Sequence, residues 1–114
     1  MSEKIEAYGF GSYFSGHPEY RDVDILLVHR SSKPESCQFA IQCKRFLVSN
    51  YSLADVTILS QHEEQQISFI ERSGAHQIGE IRLQQKESEL SKILAKIDEC
   101  RNQSVVRYRV AENT

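Results

Sequence analysis

The chain contains no tryptophan, only two prolines and three cysteines, and no clustered basic run among its 114 residues. The cysteines, Cys37, Cys43 and Cys100, form no CxxC pair, and an odd count is a poor disulfide framework. Cys37 and Cys43 lie six residues apart in one expected helix, on largely different faces, which does not suit a shared metal, so free buried thiols are expected. No apolar run approaches the roughly 18 residues that a membrane-spanning helix needs. Met1-Ser2-Glu3-Lys4 lacks the charged and apolar regions of a signal peptide, so a cytoplasmic protein with no membrane partner is expected. Lysine and arginine are scattered and the formal charge is −2, so nucleic acid is not the expected partner. Internal repeats, linkers and low-complexity segments are also lacking, and 114 residues are enough for one domain with one core but not two.

What the chain does contain is an ordered succession of short apolar segments. Residues 5–10 mix apolar and β-favouring types and stop at glycine, which predicts a first strand. Ser12 is a good N-cap for a short helical turn through Tyr13 and Phe14, and Gly16-His17-Pro18 breaks that turn. Residues 22–29 form a second strand whose Val-Ile-Leu-Leu-Val content predicts burial on both faces. Ser32-Lys33-Pro34-Glu35 has a capping-box pattern, and Phe39, Ala40, Cys43, Phe46 and Leu47 then follow one helical face as far as Asn50. Residues 55–59 predict a third strand, opened by an aspartate like the second.

Ser60-Gln61-His62-Glu63 is a second capping box, opening a helix whose Ile67 and Ile70 are expected to face the core and which Gly74 can end. Residues 75–83 read either as a strand, from the alternation of Ile81 and Leu83, or as the lead into the next helix. Leu90, Ile93, Leu94, Ile97 and Cys100 mark a helical stripe over residues 86–101, suited to core packing or to helix-to-helix dimerisation. Val106, Tyr108 and Val110 alternate with arginines and predict a late edge strand over residues 105–110. Together these segments predict a single α/β (α+β) domain, with a small mixed sheet and helices mainly on one face.

Chemistry concentrates in residues 8–28, YGFGSYFSGHPEYRDVDILLV. In a strand, Asp22 and Asp24 project to the same face with Val23 opposite. Two adjacent carboxylates repel each other unless well solvated or bridged, and a hard divalent cation with oxygen ligands is the usual bridge. Backbone N–H groups at the Gly11-Ser12 turn, leading into a helical turn, suit anionic phosphate. Other motifs fail: Gly9-x-Gly11 has no third glycine in place and no GK[ST] follows, while His62-Glu63-Glu64-Gln65-Gln66 is not HExxH. His17 sits in the loop facing the aspartates and is read as an exposed loop residue.

Gly11-Ser12, Asp22-x-Asp24 and Asp55 at the start of a third strand resemble the nucleotidyltransferase fold of the DNA polymerase beta superfamily, over roughly the first 60 residues. The resemblance implies that Gly11 and Ser12 cradle the triphosphate of ATP or another NTP. It implies that Asp22, Asp24 and Asp55 bind two magnesium ions, with Asp55 as the general base. Tyr13 and Phe14 stand where active relatives often carry a basic residue, leaving Arg21, Lys44 or Arg45 as substitutes. The larger relatives' extra domains are missing, so a partner protein or a homo-oligomer is left to complete the site. At this size the chain resembles the minimal nucleotidyltransferases of toxin-antitoxin and defence modules. That likeness implies an antitoxin that transfers AMP from ATP to a hydroxyl of an HEPN-type ribonuclease toxin. The alternative is a non-catalytic module of the same fold, acting through its C-terminal helix in a complex.

Overall fold

The alternating β1 (Lys4–Phe10) and the nearly continuously apolar β2 (Val23–His29) lie antiparallel at the middle of a four-stranded sheet. The computed structural model of the chain describes the backbone of residues 3–112 and the side chains of residues 3–100. β3 (Ala54–Ser60) runs parallel to β2, and β4 (His76–Arg82) runs antiparallel to β1, giving the order β3-β2-β1-β4. The segment open to two readings is thus a strand, held to β1 by the pairing of Ile5 with Ile81 and Lys4 with Arg82. A parallel pair needs a crossover, and α2 (Pro34–Asn50) supplies it between β2 and β3.

One face of the sheet carries the core. Ile5 and Ala7 of β1 and Val23, Ile25 and Leu27 of β2 pack with Phe39, Ala40, Cys43 and Leu47 of α2. The same cluster takes in Tyr13 and Phe14 of α1 (Gly11–Phe14) and Leu90, Ile93 and Ile97 of α5 (Lys86–Glu112). The expected apolar faces of α2 and α5 are therefore the faces that are buried. Leu26 and Val28 are buried on the opposite side, so β2 is covered on both faces as its composition requires. On that side Phe69 meets the ring of Phe10 edge-on at 5.1 Å. The result is a mixed α/β domain with most of its helices on one face of the sheet.

Local chemistry sets the element boundaries. Ser60 and Glu63 form both bonds of a capping box at the start of α3 (Gln61–Ile67). Ser68, at φ 50°, breaks the helix, and α4 (Phe69–Ser73) follows before Gly74 ends it. Ile67, the last residue of α3, is 42% exposed rather than facing the core. The box expected at Ser32 does not form. Pro34 occupies the first turn and holds Lys33 extended, so Lys33 is the boundary residue and makes no side-chain cap. Ser36 instead accepts a hydrogen bond from the Ser31 N–H at 3.0 Å.

A 3-10 turn (Leu83–Gln85) leads into α5, which runs to Glu112 and not to 101. The late edge strand expected over residues 105–110 is helix instead. No glycine or proline lies between Lys86 and Glu112, and extending a formed helix costs far less than starting a new element. The place beside β1 is in any case taken by β4. Among the described residues Cys37 and Cys43 form no disulfide; Cys43 is buried and Cys37 and Cys100 are partly so. Burial pushes the Cys43 thiol up to about 12, which keeps it protonated and unreactive. Among the described residues no helix is long and apolar enough to cross a membrane.

Candidate functional site

The parallel pairing of β2 with β3 sets Asp24 directly beside Asp55. Strand alternation puts both carboxylates on one face, and Asp22, two residues before Asp24, joins them. Each of the three offers an oxygen, and these oxygens lie within 4.8 Å of one another. Asp22 and Asp55 are exposed and Asp24 is half-buried. Burial, followed by the charges of Asp55 and Asp22, raises the Asp24 carboxyl above its ordinary value. A carboxylate held against two like charges gains most from a cation placed between them. An all-oxygen donor set of this kind suits magnesium or another hard divalent ion.

Gly11 closes the other side of Asp24. Its φ is +81°, and a Cβ built there would collide with Oδ2 of Asp24. The glycine is thus required twice, by backbone conformation and by the carboxylate lying against its Cα. Helix α1 starts at Gly11 itself, with Phe10 as its boundary residue, so Ser12 is a helical residue and not the cap expected from sequence. The extended backbone of β1 continues through Phe10 until the positive φ at Gly11 turns the chain.

Ser12 lines a cleft of about 590 Å³ with Pro18, Glu19, Tyr20, Arg21, Asp22 and Asp24. The turn and two of the three carboxylates therefore share one opening, with Asp55 beside Asp24 on the neighbouring strand. Of the three cationic candidates, Arg21 belongs to that cleft, while Lys44 and Arg45 are exposed on α2 outside its lining. His17 is exposed, and its N–H donates to the Ser12 carbonyl at 3.1 Å.

The aromatic pair after Gly11-Ser12 faces inward. Tyr13 and Phe14 are 2% and 8% exposed, so neither takes the place of a basic residue toward the cleft. The Phe14 ring fills the space over Gly9, where a Cβ would come within 2.6 Å of it. The Tyr13 hydroxyl donates to the Ile97 carbonyl of α5 at 2.7 Å, and its ring meets that of Tyr20 edge-on at 4.8 Å. These contacts anchor both ends of the loop carrying the cleft. The expected helical turn through Tyr13 and Phe14 forms as α1, but their buried packing role was not foreseen. Their signal was position: large aromatics flanked by Gly9, Gly11 and Gly16, with room to pack.

No protein-family model, curated protein or solved structure matches the chain.

Proposed function

We propose that the chain is a metal-dependent nucleotidyltransferase that moves a nucleoside monophosphate, AMP from ATP, to a hydroxyl on a partner protein. The observation that carries this reading is the convergence of the Asp22, Asp24 and Asp55 oxygens within 4.8 Å, at and just before two adjacent strands, beside the Gly11-Ser12 turn. Two magnesium ions held by the three aspartates would neutralise charge developing on the phosphates and lower the pKa of the attacking hydroxyl.

The chain's own residues divide the remaining work. Ser12, in the wall of the cleft, offers a hydroxyl donor to the phosphate chain. Asp22 and Asp24 hold the metals, with Asp24 fixed in place by the bare Cα of Gly11. Exposed Asp55 is open to an incoming acceptor and takes the proton from its hydroxyl. The acceptor oxygen then bonds to the α-phosphorus while the bond to pyrophosphate breaks, so the products are an adenylylated acceptor and pyrophosphate. The partner suggested by resemblance is an HEPN-type toxin, with the chain as its antitoxin. The test is incubation of ATP labelled at the α-phosphate with the protein, magnesium and candidate partners. Label should pass to a partner, and Asp22→Asn or Asp24→Asn should abolish it; transfer unchanged in those variants would rule the proposal out.

A further inference from the structure

Asp24 and Asp55 stand on neighbouring strands and Asp22 immediately precedes the first of them, and one turn joins those strands to α5. Tyr51 ends α2: its N–H donates to the Leu47 carbonyl at 2.9 Å, and its own carbonyl accepts from the Ala54 N–H at 3.0 Å. Within that turn the Leu53 carbonyl accepts from the Val23 N–H at 2.9 Å. Val23 lies between Asp22 and Asp24, and Ala54 immediately precedes Asp55. The backbone of residues 51–54 thus grips the chain next to every carboxylate of the site.

The turn is itself tied down at a distance. The Tyr51 hydroxyl donates to Oδ1 of Asp98 on α5 at 3.1 Å, 47 residues away in sequence. The neighbouring residue of α5, Ile97, takes the Tyr13 hydroxyl, its carbonyl accepting at 2.7 Å. One point on α5 therefore secures both the turn behind the carboxylates and the segment that follows Gly11. Asp98 is exposed and is not among the residues lining the cleft.

We infer that Tyr51 and Asp98 are positioning residues: their hydrogen bond, acting through the 51–54 turn, sets the spacing of Asp22, Asp24 and Asp55 and hence the affinity for a divalent cation. The inference rests on the reading of those aspartates as a metal site. It makes α5 a part of the site that no ligand touches, and it gives the Tyr51 hydroxyl a role separate from packing.

The test uses Mn2+ alone, titrated calorimetrically into the full chain and into Asp98→Ala, Asp98→Asn, Tyr51→Phe and the Tyr51→Phe/Asp98→Ala double variant. Thermal melting without metal reports folding separately. Asp98→Ala and Tyr51→Phe should each weaken Mn2+ binding by about three- to tenfold, the scale of one hydrogen bond. The double variant should be no worse than either single one, because both remove the same bond. Asp98→Asn keeps an acceptor oxygen and should stay within about twofold of the wild type, which separates positioning from loss of a charge. Mn2+ affinity unchanged in Asp98→Ala and Tyr51→Phe overturns the inference alone, as does an equal loss in Asp98→Asn. A wild-type chain that takes up no Mn2+ overturns the metal-site reading and the inference with it.

Discussion

Oδ2 of Asp24 lies in the space that a side chain on residue 11 would need, so Gly11 and Asp24 fit together only because one of them has no Cβ. Gly11→Ala places a methyl group against that carboxylate and forces alanine to a φ of +81°. The expected outcome is a loss of about 1 to 3 kcal/mol of stability, the cost of a strained backbone position. A loss of divalent-cation affinity should accompany it as Asp24 is pushed aside. Urea denaturation and Mn2+ titration of the variant check the two effects separately.

Asp24 also makes stability depend on pH. Its carboxyl is raised above the ordinary 3.8, first by burial and then by Asp55 and Asp22, so the folded chain binds that proton more tightly than the unfolded chain. Stability from this group is therefore greatest below the unfolded value and falls as pH rises through the raised folded value. Asp24→Asn should flatten that decline. Magnesium should offset it, because an ion that binds only the folded chain adds about 2.7 kcal/mol at a hundred times its Kd. Denaturation midpoints with and without magnesium, measured from acid to neutral pH, report both.

The capping box at Ser60 starts the helix that follows β3, the strand carrying Asp55. Ser60→Ala should cost about 1 kcal/mol, as for other N-cap serines. Glu63 is held below the usual carboxylate range by its bonds to the Ser60 backbone and side chain. Its contribution is therefore present above the ordinary value of 4.5 and is lost as pH falls through the lowered one. Chemical denaturation of Ser60→Ala should show the deficit at neutral pH and a smaller one in acid.

Much of this fold was legible because the signals were local. The strands near residues 5–10, 22–29 and 55–59, the apolar face of α2 and the Ser60 box all follow from spacing within a few residues. The grouping of Asp22 with Asp24 was equally local, since they are two apart in the chain. Asp55 came from resemblance, and its closeness to Asp24 depends on a parallel register that spacing alone does not encode. The misreadings share a cause. Val106, Tyr108 and Val110 alternate like a strand, but nothing local reveals that α5 is already propagating through them or that β4 holds the sheet edge. Ile67 was expected inside but lies exposed at the end of α3, where the left-handed Ser68 stops the helix before its apolar spacing is continued. The link from Tyr51 to Asp98 joins residues 47 apart and leaves no trace in a pattern.

On the proposed reading, Asp22, Asp24 and Asp55 form a metal site that serves nucleotide chemistry. The most direct measurement is calorimetric titration of ATP into the full chain, with magnesium and with a chelator, repeated on Asp24→Asn. ATP binding that requires magnesium and disappears in Asp24→Asn is the predicted result. ATP that does not bind, or that binds the variant as tightly as the wild type, would contradict it.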